Sequence, residues 1–261
     1  MKALAIVGPH NICSYPPSSR FCYPKHFPNR SHLCFSSPGS RTVEKAVNTT
    51  SSSEYKPGIF DDLFLSLFRN KLVEEVGWDS EKHGYDGLIE VANRLMMKGR
   101  KNSDTVEAAV RILRSLFPPL LLELYRMLIA PIGGGKVAAM MVARVTALTC
   151  QWLMGPCKVN SVDLPSGTSC NSGVYVERCK YLEESKCVGI CINTCKFPTQ
   201  IFFRDHMGVP LLMEPNFIDY SCQFKFGVLP PLPEDDSILK ESCLEACPNA
   251  AQRRADSCPK A

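Results

Sequence analysis

The sequence predicts an α+β fold in which an N-terminal helical layer packs on a C-terminal cysteine-rich domain with a small mixed or antiparallel sheet. Three observations carry this reading. Apolar residues recur at helical spacing across residues 57–156. Beyond Pro156 the texture changes to short runs, clearest where Tyr220, Cys222, Phe224 and Phe226 alternate with Ser221, Gln223 and Lys225. Seven cysteines, Cys179, Cys187, Cys191, Cys195, Cys222, Cys243 and Cys247, then crowd into 69 residues.

The first helix is carried by Phe60, Leu63, Phe64, Leu67, Phe68 and Leu72, with Asp61 and Asp62 early and Gly77 beyond its end. A second helix runs through Leu88 to Met97. A third begins at Asp104, whose side chain can cap the backbone while Glu107 reaches back, and Pro118-Pro119 stops or kinks it. Leu120 to Ala130 resumes the pattern until Pro131. After Gly133-Gly134-Gly135 another helix runs from Lys136 to Met154 and ends at Gly155-Pro156.

Val174 to Leu182 has strand character. Pro198 suits the first turn of a helix through Ile201 to His206, which Gly208 ends. Leu211 to Met213 reads as a short strand, and the alternation at 220–226 turns Cys222 toward the core. Pro230, Pro231 and Pro233 open an acidic tail that regains helical character near Ile238 to Ala246. The chain therefore divides into a leader and linker over 1–50, a helical region over 57–156, and a cysteine-rich α+β region over 157–261 with a loose C-terminal tail.

The leader has its own chemistry. No acidic residue precedes Glu44, whereas Lys2, Arg20, Lys25, Arg30 and Arg41 stand among many Ser and Pro, the composition of a transit peptide. A secretory signal needs roughly 7–15 apolar residues in succession, and Ala3 to Val7 stops at Gly8-Pro9. The leader holds five of the 30 basic residues and none of the 26 acidic ones, so the rest of the chain is close to neutral. Without a basic face or interleaved aromatics, nucleic acid is not the expected partner. No apolar run reaches the roughly 18 residues of a spanning helix.

Three of the 14 cysteines, Cys13, Cys22 and Cys34, lie in the leader, and the odd number left argues against a complete disulfide framework. Cys187, Cys191 and Cys195 stand at i, i+4 and i+8, which on a straight helix separates the outer pair by roughly 12 Å. If all three were ligands of one metal, the segment would have to bend, and Gly189 and Asn193 offer places to do so. The spacings suit zinc poorly. Cys247-Pro248 is similar to the ending of bacterial ferredoxin runs, although the other spacings differ. An iron–sulfur site, a structural zinc and reduced core thiols all stay open, the last fitting Cys150 and Cys222 best.

Beyond the leader only His83 and His206 occur, so any iron must lean on sulfur. His206 at a helix end favours an imidazolium, and His83 beside Gly84 is expected to be exposed. Gly133-Gly134-Gly135-Lys136 lacks the frame of a phosphate loop. Met96, Met97, Met127, Met140, Met141 and Met154 all fall in the helical layer, where thioethers can fill core or line an adaptable pocket.

One resemblance narrows these choices. The run from Tyr181 to Lys196 (YLEESKCVGICINTCK), Met213-Glu214-Pro215-Asn216-Phe217, Asp219-Tyr220-Ser221-Cys222 and Gln151-Trp152-Leu153-Met154-Gly155-Pro156 are similar to the plant plastid β-carotene isomerase family of strigolactone biosynthesis. Residues 93–100 and Cys247-Pro248 resemble its isomerase-like paralogous branch. The resemblance implies reversible all-trans/9-cis isomerisation of β-carotene or a related carotenoid, in strigolactone or abscisic acid precursor metabolism, by an iron-dependent enzyme in the chloroplast or another plastid.

On that basis iron, as a sulfur-ligated centre or an iron–sulfur cluster, is expected at Cys187, Cys191, Cys195 and Cys247, with Cys179, Cys222 and Cys243 as further candidates. The catalytic residues and the electron donor stay open. Because carotene resides in lipid, an apolar face of the helical layer is expected to contact plastid membranes peripherally and to open into the substrate pocket. The alternatives are a non-enzymatic iron–sulfur or thiol-redox protein of plastids and a zinc-stabilised interaction module.

Overall fold

A computed structural model describes residues 58–99 and 101–249. The leader and linker over 1–50 and the end of the tail beyond Asn249 lie outside these residues.

Helix α1 spans Ile59–Val76 and ends where Gly77, at φ 74°, donates its amide to the Val73 carbonyl (2.7 Å). Helix α2 is Gly84–Lys98 and α3 is Asn102–Ser115. At the start of α3 the Asp104 carboxylate accepts from the Lys101 amide (3.1 Å), so Asp104 plays the reaching-back part that the sequence reading gave to Glu107. Leu72, Val76, Leu88, Val91, Leu95, Ala109 and Ile112 form the shared core of these three helices.

Helix α4, Pro119–Leu124, widens into a π-helical turn at Tyr125–Ile129. Gly133, Gly134 and Gly135 then reverse the chain at φ 61°, 64° and 86°, a succession of left-handed residues that side chains with a β-carbon would strain. The arms Pro119–Ile129 and Ile132–Thr149 meet at a 106° bend. Helix α5, Lys136–Thr149, stops at Cys150 (φ −111°, ψ 7°) and restarts as α6, Gln151–Met154. The single helix expected over 136–154 is therefore two.

Four antiparallel strands follow: β1 Cys157–Asp163, β2 Ser169–Val176, β3 Leu211–Pro215 and β4 Cys222–Phe226, in the spatial order β1-β2-β4-β3. The inward face, including Val174, Val176, Leu211, Met213, Cys222, Phe224 and Phe226, packs on Ala138, Ala139, Val142, Ala143 and Ala147 of α5. Cys222 faces the core, as its alternation predicts. On the other face Asn160 donates to Gln223 (2.7 Å) above Gly173, where an added β-carbon would lie 2.2 Å from Asn160 Oδ1.

One expectation here fails. The strand predicted over 174–182 ends at Val176, and Lys180–Ser185 forms α7. Tyr181 and Leu182 are both buried, which a strand's alternation would forbid but one side of a helix allows. The cysteine-bearing segment breaks at Lys186 and Cys187, before Cys191, and is continuous from Val188 on. It runs as α8 Val188–Ile190, a π turn Cys191–Lys196, α9 Phe197–Ile201 and a second π turn Phe202–His206. The wider turn before Pro198 accommodates a residue that offers no backbone donor and crowds the preceding turn.

The tail is neither helical over 238–246 nor loose as far as it is described. Only a 3₁₀ turn forms at Ser237–Lys240. Buried Asp236 pairs with buried Lys196, and Asn249 Nδ2 donates to Asn93 Oδ1 (2.9 Å).

Candidate functional site

A cavity of about 200 Å³, partly open to solvent, lies between the helices and the sheet. Phe68, Leu113, Leu116 and Phe117 come from α1, α3 and the link after α3; Thr146, Cys150, Trp152, Leu153 and Met154 come from α5, α6 and the break between them. Cys191, Cys195, Thr199, Phe202 and Phe203 of the long helical run face Met213, Pro215, Cys222 and Phe224 of the sheet, with Cys179, Tyr181 and Leu182 between. Among the described residues no charged side chain lines it.

Aromatic rings stiffen the walls. Phe117 stacks on Phe202 at 5.5 Å between centroids, Phe203 meets Phe226 edge-on at 5.1 Å, and Phe68 meets Trp152 edge-on at 5.8 Å. The polar tips beside the cavity are already committed. Thr194 Oγ1 donates to the Ile190 carbonyl (2.8 Å), so the Tyr181 hydroxyl donates to Thr194 (2.8 Å), and the Tyr85 hydroxyl donates to the Leu153 carbonyl (2.5 Å).

Five thiols, those of Cys150, Cys179, Cys191, Cys195 and Cys222, reach this one cavity. Burial pushes the thiols of Cys191 and Cys222 well above the ordinary range, and neighbouring cysteines push further in the same direction. Burial, then Cys179, pushes Cys195 up to about 12. Burial also raises Cys150 and Cys179, the latter partly offset by the Leu182 and Tyr181 amides. The wall is thus a set of neutral thiols, which behave as soft, small hydrophobes.

A pH dependence follows. An unfolded thiol ionises near 9, whereas Cys195 in the fold stays protonated to about 12. Between these values the unfolded chain holds fewer protons, so stability is intact below pH 9 and falls as pH rises through the window, by about 1.4 kcal/mol per pH unit for each thiol. Urea melts from pH 8 to 10.5 check this; a flat profile would contradict it.

The sequence-predicted ligands separate into two places. Cys191, Cys195, Cys179 and Cys222 line the cavity, while buried Cys187 and Cys247 pack with Ala92, Met96 and Ile190 in an adjoining cluster that Cys179 and Cys195 also touch. Cys187 precedes the helix, at φ −134°, so its side chain does not continue the face of Cys191 and Cys195. Cys243 is half-buried on the tail and outside the cavity wall. Among the described residues no three His, Cys, Asp or Glu side chains are arranged to hold a metal ion. The four cysteines expected for iron, Cys187, Cys191, Cys195 and Cys247, are therefore not assembled as a donor set among the described residues.

Cys150 is a site residue that the sequence reading assigned to packing. Its signal was the adjoining Gln151-Trp152, where one helix stops and another starts. Of the six methionines in the helical layer only Met154 reaches the cavity, Met96 is core, and Met127 is 70% exposed. His83 is exposed as expected, whereas burial and then Arg114 push His206 down, so it favours neutral imidazole rather than the imidazolium expected at a helix end.

Residues 152–235 match the family described as "Beta-carotene isomerase D27-like, C-terminal". The chain is 33% identical over 211 residues to "Beta-carotene isomerase D27, chloroplastic" of Arabidopsis thaliana, covering 79% of this chain and 77% of that protein. It is 34% identical over 206 residues to the protein of the same name in Medicago truncatula, covering 78% and 79%. The chain belongs to the D27-like β-carotene isomerase family. No solved structure matches it. The two D27 relatives are chloroplastic by name, and this D27-like chain is a plastid protein. The D27-like match at 152–235 includes the sheet, the long helical run and four of the five cavity cysteines, but not Cys150, which α5 delivers.

Proposed function

We propose that the protein catalyses reversible all-trans/9-cis isomerisation of β-carotene or a related carotenoid within the thiol-lined cavity, feeding apocarotenoid hormone precursors. The observation that carries this reading is a cavity of about 200 Å³, partly open to solvent, whose wall among the described residues holds no charged side chain, in a chain of the D27-like family. A hydrocarbon polyene offers no hydrogen-bond handle, so it binds by apolar burial, at about 25 cal/mol per Å² removed from water. Neutral thiols and ring faces suit it; a carboxylate or ammonium would not.

Isomerisation adds and removes no atoms, so it needs no activated water and no acid–base pair. It needs one double bond to lose π character while an arm of the polyene swings. The cavity excludes water from the enclosed arm, and its open side leaves the other arm free to turn. Because the described cysteines are not arranged as a metal-binding donor set, no step here is routed through iron. Cys191, Cys195 and Cys222, with Phe202 and Phe224, are among the residues lining the space such a substrate would occupy.

The test is anaerobic incubation of the purified chain with all-trans β-carotene in detergent, followed by chromatographic separation of isomers. Faster formation of the 9-cis isomer than in a protein-free control is expected; an unchanged rate would end the reading. Running the assay on metal-free protein, with and without added ferrous iron, decides whether iron is required.

A further inference from the structure

Leucine and methionine side chains stand outward on the bent arms 119–129 and 132–149. On the first arm Leu120, Leu121, Leu124, Met127 and Leu128 recur at helical spacing, and each is at least half exposed. On the second, Val145 and Leu148 are 56% and 78% exposed. Such a contiguous apolar surface marks an interaction site rather than ordinary solvent-facing surface. No single described helix is long and apolar enough to cross a membrane, yet the two arms are together apolar enough for a bent membrane segment.

This surface continues into the cavity. Leu116 lines the cavity and is itself 38% exposed, and the chain passes from it through Phe117-Pro118 directly to Leu120 and Leu121. At the other edge Thr146 and Cys150 line the cavity while Val145 and Leu148 of the same helix end face out. The arms carry Arg126, Lys136 and Arg144 against one acid, Glu123, a balance that favours an anionic lipid surface.

We propose that this face docks on a lipid bilayer, lying in the interface rather than spanning it, so that the cavity opens onto hydrocarbon. A second copy on the same face would cover the lip at Leu116, whereas acyl chains leave a hydrocarbon path through it. That the cargo is carotenoid rests on the isomerase reading; the docking does not.

The experiment is flotation of the full chain with vesicles of phosphatidylcholine, with and without phosphatidylglycerol, and no carotenoid present. The chain floats, more completely with the anionic lipid. The pair Leu121→Glu and Leu128→Glu lowers the floated fraction at least about tenfold. Its melting temperature stays at the parent value, because both side chains are exposed. Parent protein left at the bottom of both gradients, or a variant that floats equally well, overturns the proposal. So does a dimer, seen by light scattering, that the same pair dissociates. Flotation without isomerase activity in detergent supports the docking while removing the isomerase reading; activity in detergent without flotation does the reverse.

Discussion

Lys196→Met is expected to destabilise the fold by about 3–5 kcal/mol, because it strands the Asp236 carboxylate in a buried site without its partner. Lys196 is 2% exposed and Asp236 7%. Asp236 also accepts from the Ile238 amide (3.1 Å), so the carboxylate fixes the start of the 3₁₀ turn as well as the ion pair. The pair latches the tail, with buried Ile238, onto the helical run that carries Cys191 and Cys195.

Replacing both partners by apolar residues, Lys196→Met with Asp236→Leu, removes the uncompensated charge and is expected to recover most of the loss. Urea melts of both single variants and the double variant form the cycle. A single variant that melts within about 1 kcal/mol of the parent would mean that the pair is not holding a buried charge.

The second large effect is on activity. Cys195 lies on the cavity wall where the helical run faces the sheet, so the ring introduced by Cys195→Phe takes space that the proposed polyene substrate would need. A substrate displaced by even an ångström reacts about a hundredfold more slowly, and loss of isomerase activity by at least that factor is expected. The added volume is accommodated largely by the cavity, so the stability cost stays at or below about 1–3 kcal/mol. Near-parental activity with a normal melt would move the substrate out of this cavity. A folded variant with full β-carotene affinity but no turnover would instead tie Cys195 to the bond rotation rather than to binding.

What the sequence determined by itself were features set by near neighbours. The spacing of Phe60 to Leu72, the stop at Gly77, the link through Gly133 to Gly135 and the inward turn of Cys222 are legible because helical period, positive φ and strand alternation depend on a few adjacent residues. The edge strand β1 was hidden because most of its residues are at least partly exposed, which leaves little alternation to read.

Only the tertiary structure decided which cysteines share a cavity. Spacing made Cys187, Cys191 and Cys195 look like one series, but helix phase begins after Cys187, so it falls beside Cys247 while Cys191 and Cys195 meet Cys150, Cys179 and Cys222. The anchoring of the tail was equally invisible, since Lys196 and Asp236 are 40 residues apart and neither charge reads as buried until the chain has packed around both. Local periodicity fixes which way a side chain points along its own element; which side chains meet depends on how elements pack, and that is a long-range property.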